Sequence, residues 1–172
     1  MTNPILVAYA TKFGATAEIA AKIGDTLQQA GWSVDVLPAD QVKDSDAYAA
    51  IVLGSAVYAG TWRTAAVDFL EANQAQLTDR AVWLFSSGPT GEGDASHIMQ
   101  GWRFPEAQQA IAERIQPRDI AFFHGFINMQ KLNLAEKVIV TGIKAPTGDF
   151  RNWAAVTAWA TEIAQALSVY RN

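Results

Sequence analysis

Three short stretches carry residue types that bind charged and planar ligands. The first is Ala10-Thr11-Lys12-Phe13-Gly14-Ala15-Thr16, two hydroxyls and a glycine just ahead of a helical pattern. Backbone N–H groups at a helix start, backed by hydroxyls, make an anion site. Thr11 and Thr16 also suit plain helix capping. The second is Gly54-Ser55-Ala56-Val57-Tyr58-Ala59-Gly60-Thr61-Trp62. Its small residues allow close backbone approach, and Tyr58 and Trp62 offer flat faces. Stacking such a face is worth about 0.5–1.5 kcal/mol beyond burial. Trp62 suits ordinary core packing as well. The third, Ser86-Ser87-Gly88-Pro89-Thr90-Gly91-Glu92-Gly93-Asp94, can lie along a polar ligand edge or form an unspecialised turn.

The spacing in these stretches excludes several chemistries. There is no G-x-x-x-x-G-K-[ST] for a magnesium nucleotide, and no G-x-G-x-x-G for a dinucleotide pyrophosphate. No acidic residues follow the first apolar run, as a phosphoacceptor aspartate site would need. What remains is a single phosphate monoester held mainly by neutral donors. Cysteine is absent, so thiolate nucleophiles, iron–sulfur clusters and disulfides are excluded. The two histidines, His97 and His124, stand far apart, and no metal site is expected. His124 reads as structural, and no residue presents itself as a catalytic acid or base.

The elements that must position these stretches alternate. Pro4–Tyr9, Ala50–Val57 and Ala81–Ser86 are short apolar runs that read as buried strands. Trp32–Leu37 suits a strand nearer an edge, and Asp119–His124 is a fifth. Ile19, Ile23 and Leu27 mark a helix stopped by Gly31. Ala66, Phe69 and Leu70 mark a second helix, and a third opens at Pro105 and ends before Pro117. The last helix runs from Asn152 with Val156, Trp159, Ile163 and Leu167 in register. Strands that are apolar throughout are covered on both faces, which gives an α/β fold, a three-layer α/β/α sandwich around a five-stranded parallel sheet. Each candidate stretch follows a strand, and ligands of such sheets sit beyond the carboxyl ends of the strands. Leu132–Ile143 fits strand and helix equally well by local propensity.

The chain of 172 residues reads as one domain, 1–172. Its net charge of −4 and lack of a basic stripe exclude nucleic acid. The longest uncharged stretch, Ala47–Trp62, is too short and too broken to cross a membrane, and Met1-Thr2-Asn3-Pro4 shows no leader pattern. A cytoplasmic location is expected.

Taken together, YATKFGAT, GSAVYAGTW and SSGPTG resemble the three FMN-binding loops of the flavodoxin superfamily. The match is closest to the flavodoxin-like family that includes menaquinone-dependent protoporphyrinogen oxidase. Two features point there: the T-[KR]-x-G-x-T form of Thr11, Lys12, Gly14 and Thr16, and the segment Gly148-Asp149-Phe150-Arg151-Asn152-Trp153. In that family the segment matching Leu132–Ile143 is helical. The resemblance implies FMN as cofactor, its phosphate on Thr11, Lys12, Phe13, Gly14, Ala15 and Thr16. It implies an isoalloxazine set against Ala56, Val57, Tyr58, Ala59, Gly60 and Thr61, with Tyr58 stacking, and against Ser87, Gly88, Pro89, Thr90 and Gly91. The implied activity is oxidation of protoporphyrinogen IX with a quinone as acceptor. The alternatives are an electron carrier with a protein redox partner, or a module that keeps the fold without flavin. The chain departs from the family after the fourth strand, where Glu92, Asp94, His97, Met99, Trp102, Arg103 and Phe104 include no lysine cluster. Met99, Trp102 and Phe104 read as an apolar lip or, preferably, as core under the Pro105 helix. The acidic total charge gives no attraction to a membrane beyond peripheral contact.

Overall fold

Three segments that are apolar on both faces take the centre of a sheet, because only a central position satisfies their backbone and covers both faces, and two less apolar segments form its edges. In this computed structural model, which describes residues 3–171 except the side chains of residues 96 and 171, the first is β1 (Ile5–Ala10). Met1, Thr2 and Asn172, hence the leader reading and the outer ends of the 1–172 domain, lie outside the described residues. After β1 come α1 (Ala15–Gln29), β2 (Val34–Pro38), β3 (Ala50–Tyr58) and β4 (Thr61–Trp62). Then follow α2 (Thr64–Ala72), α3 (Gln74–Thr78), β5 (Ala81–Ser87), α4 (Ala95–Ile98) and α5 (Gln109–Ile115). The chain continues with β6 (Asp119–Phe123), β7 (Phe126–Ile127), α6 (Leu134–Gly142), β8 (Gly148–Asp149) and α7 (Trp153–Ser168).

The sheet order is β2-β1-β3-β5-β6, all parallel, with the short β4 antiparallel against β3. The strand alternation sorts side chains into two cores. Ile5, Val7, Val52 and Phe85 face α1 and α7, where Ile19, Ile23, Leu27, Trp159 and Ile163 meet them. Leu6, Ala8, Leu53 and Leu84 face the other layer, with Phe69, Leu70, Phe104 and Ile115. Gly54 stands opposite Phe85 in the register, and a Cβ there would meet the Phe85 ring at 2.0 Å. The central strand therefore has room for this buried ring only because position 54 has no side chain.

Several expected boundaries move. The edge strand begins at Val34 rather than Trp32, and β3 runs one residue further, to Tyr58. Tyr58 turns through Ala59 and Gly60 into β4, so this stretch is a hairpin rather than an open loop. The third helix begins with a 3-10 turn at Glu106–Gln108 before α5. Helix α3 had no signal beyond the second helix that precedes it. Trp62 and Phe104 are buried and meet edge to face at 5.0 Å, so both belong to the core. Trp102 packs edge-on against Phe122 at 5.3 Å.

Candidate functional site

The turn after β1 is built around Gly14, whose φ of 93° is left-handed and strains any residue with a Cβ. The Gly14 N–H donates to Thr11 Oγ1 at 3.0 Å, which fixes the loop just before α1. Thr11 is thus spent on its own loop, and no described side chain caps the start of α1. The first-turn N–H groups of a 15-residue helix have no intrahelical partner and carry its positive dipole end. Thr16, almost fully buried, shares a hydrogen bond of 2.9 Å with Ser87 of β5.

A cavity of about 430 Å³ opens there, within the size range of sites for small cofactors. Thr11, Lys12, Phe13, Ala15 and Thr16 line it from the first loop, Ala56, Val57, Tyr58 and Ala59 from the second, and Ser87 and Gly88 from the third. The three stretches thus meet at one place, beyond the carboxyl ends of β1, β3 and β5. Gly14 shapes the turn from behind. Gly60 and Thr61 continue the hairpin, and Pro89, Thr90 and Gly91 continue the third loop; none of these five lines the cavity. Met99, Trp102 and Phe104 do not line it either. Clefts of similar size at the opposite end of the sheet, such as that beside Asp46, Tyr48 and Arg80, hold none of the three loops.

His124 anchors the third loop. Its Nδ1 faces the Pro89 carbonyl at 3.2 Å and its Nε2 the Gly93 carbonyl at 2.5 Å, the structural role expected of it. The Gly125 N–H donates to the Pro89 carbonyl at 2.8 Å from the same side.

The remaining wall came without a residue-level signal. Gly125, Phe126, Ile127 and Asn128 contribute, and then Leu132, Glu136, Ile139, Val140, Ile143 and Ala145. This is the segment that propensity left open, and it is helical. Asn133 and Glu136 form a capping box, each accepting from the other's backbone N–H, which favours the helix over a strand. No residue of α6 is buried, and Leu134, Val138, Ile139 and Ile143 are exposed. Polar contacts hold the segment down. Lys12 Nζ donates to Glu136 Oε2 at 2.6 Å, and Lys131 Nζ to the Phe13 carbonyl at 3.1 Å. Lys12 also lies 5.1 Å from the Phe13 ring centre and 5.6 Å from that of Tyr58.

Arg151 explains the C-terminal Gly148–Trp153 stretch. Its guanidinium donates to Asp149 at 2.7 and 2.8 Å, to Glu18 at 2.5 Å and to the Ala15 carbonyl at 3.3 Å. It lies between Phe126, at 5.2 Å, and Trp153, at 4.7 Å. One buried cation thereby ties β8 to the first turn of α1 and hence to the first loop.

Two carboxyls here titrate low. The Lys12 hydrogen bond, aided by the Asn133 N–H, holds Glu136 below its usual range. Arg151 does the same for Asp149 against some desolvation. A carboxyl depressed on folding contributes above its unfolded pKa, about 4, and the contribution is lost as pH falls through the folded value. Acidification from pH 6 to pH 3 is therefore expected to speed amide exchange in α6 more than in α1, after correction for intrinsic rates. Equal acceleration in both helices would rule out these pairs as what holds the segment. Tyr58 titrates high, mainly through burial, with Arg63 opposing and Glu136 reinforcing.

Among the described residues, no group of three or more His, Asp or Glu side chains could hold a metal ion, and no helix is long and apolar enough to cross a membrane. The family model described as "Flavodoxin domain" matches residues 6–153. No curated protein matches the chain. Among solved structures, a flavodoxin from the domain Archaea superposes with a TM-score of 0.63 at 14% identity, covering 96% of this chain and 99% of that one. A Streptococcus pneumonia TIGR4 flavodoxin gives 0.59 at 17% identity, covering 94% and 98%. Rubredoxin oxygen:oxidoreductase from Desulfovibrio gigas gives 0.57 at 11% identity; it matches 98% of this chain, which spans only 37% of that protein. At these identities the likeness is one of fold.

Proposed function

The chain belongs to the flavodoxin domain family, and from that premise we propose that it binds FMN between its three loops and exchanges electrons with a redox protein. FMN is the cofactor of this family. One observation carries the reading for this chain: the uncapped start of α1, the half-exposed Tyr58 ring and the Ser87–Gly88 backbone all open into a single cavity. The donor set suits the group. A phosphate monoester meets free first-turn N–H groups and the Thr16 hydroxyl, while Lys12 supplies a cation. Tyr58 and the aliphatic side chains of α6 line the part of the cavity that would take a flat ring system.

When bound, FMN supplies the electron-accepting and electron-donating chemistry. The chain's part is to hold and shield it. Residues Ala15 and Thr16 bind the phosphate end through their backbone N–H groups, and Gly14 gives the turn its shape. Arg151 keeps that turn in place from behind, and Tyr58 orients the ring. Ser87 and Gly88 face the ring edge, and the α6 segment limits water at the mouth.

A second reading, oxidation of a porphyrinogen with a quinone as acceptor, draws on one feature: Leu132, Ile139, Val140 and Ile143 make a wall suited to a flat apolar molecule. The comparisons add nothing in its favour, so turnover with the two substrates is the experiment that would raise it above the first.

The protein purified without added cofactor is expected to show flavin absorption and to release FMN at about one per chain. A colourless protein that takes up no added FMN would overturn both readings. Tyr58→Ala is expected to weaken FMN binding about fivefold, as loss of one stacking face predicts, and to alter the shape of the flavin bands. An unchanged spectrum would assign the stacking to another ring.

A further inference from the structure

Tyr58 has a neighbour that the three loops do not account for. The guanidinium of Arg63 lies 5.4 Å from the Tyr58 ring centre. Its backbone is pinned, since the Arg63 N–H donates to Ser55 Oγ at 2.9 Å and the residue caps α2. Among the described residues Arg63 joins no ion pair, whereas Lys12, on the same ring, is matched by Glu136. Lys12, Glu136 and Arg63 all act at Tyr58, and these three sum to one positive charge. The protein as a whole carries −4. A locally positive ring environment on an acidic molecule is a feature of this site, not of the composition.

Such a charge acts unequally on the two ends of the flavin's redox cycle. Oxidised FMN has a neutral ring. Uptake of two electrons and one proton, supplied in solution by a reductant such as dithionite, gives a ring with one negative charge. A partly screened unit charge beside the Tyr58 ring is expected to change the affinity for that anion roughly tenfold. Resting on the FMN reading above, we propose that Arg63 tunes the bound flavin, holding its two-electron-reduced anionic form in preference to the oxidised form. Arg63 acts through the field at Tyr58 and is a tuning residue, not a catalytic one.

The test compares the unmodified protein with Arg63→Gln, Arg63→Met and the charge-keeping Arg63→Lys, each loaded with FMN. Flavin stoichiometry and affinity for oxidised FMN are measured first by fluorescence quenching. The midpoint is then taken by dithionite titration against a reference dye. We expect oxidised FMN to bind all four within about twofold. Affinity for the reduced form should fall about tenfold in Arg63→Gln and Arg63→Met, a midpoint lower by about 30 mV for a two-electron couple, and hold in Arg63→Lys. Equal midpoints in all four would overturn the inference while leaving FMN binding intact. Absence of FMN binding by the unmodified protein would overturn the reading beneath it.

Discussion

Gly54→Ala is expected to destabilise the fold by about 3 kcal/mol. The added Cβ would fall 2.0 Å from the Phe85 ring, far inside contact distance, at the centre of the sheet. Phe85 is fully buried and meets Phe123 and Trp159, each at 6.0 Å between ring centres, so it has no open direction in which to withdraw. Overpacking of this kind typically costs 1–3 kcal/mol, and a ring locked among other rings sits at the upper end. Against a total stability of about 5–15 kcal/mol this is a large fraction. Urea denaturation gives the value, read as a shift in midpoint at constant slope. In the double variant Gly54→Ala/Phe85→Leu the two changes share one space, so a coupling of at least about 1 kcal/mol in the favourable sense should appear. Simple additivity would show that the strain is relieved elsewhere.

Gly14→Glu is expected to lower FMN affinity about 100-fold. The left-handed φ at position 14 disfavours any side chain by about 1–2 kcal/mol, which pulls the turn out of the shape that aims its N–H groups. The carboxylate then adds repulsion of about 1 kcal/mol toward a dianionic phosphate. Thr16→Val is the isosteric companion, expected to lower affinity at least tenfold by removing the hydroxyl that pairs with Ser87 and faces the cavity. Both effects are specific to the phosphate end. Riboflavin, which lacks the phosphate, should bind either variant about as well as the unmodified protein. Equal losses for FMN and riboflavin would place the phosphate somewhere other than this turn.

Residue pattern alone made the strands and the position of the loops legible because burial on both faces leaves an unmistakable apolar run, as in Ile5–Ala10 and Ala50–Tyr58. The loops that follow these runs carry their own punctuation in Gly14, Gly60 and Gly88. The α6 wall was not legible in the same way. Val138, Ile139 and Val140 favour a strand locally, while the Asn133 and Glu136 capping box starts a helix ahead of them. Resemblance to the family supplied the helix where propensity did not. Arg63 and Glu136 were invisible for another reason. Glu136 matters through its contact to Lys12, far away in sequence, and Arg63 through the hairpin turn that brings it back over Tyr58. Arg151 belongs to a legible C-terminal signature, but its two carboxylate partners and its two aromatic neighbours emerge only from the fold.

The β7–β8 ribbon has an architectural meaning of its own. Phe126 and Asp149 face each other across it, so residues 128–147 leave and rejoin the domain at nearly the same point. Strands paired in this way stand about 5 Å apart and can be bridged by a two-residue turn. The segment behaves as a cassette spliced into a scaffold whose parallel sheet never depends on it. Exchanging the cassette would alter what reaches the cavity mouth, and with it the Glu136 and Lys131 contacts to the first loop, while the parallel sheet stays as it is, so partner choice and cofactor retention would vary together.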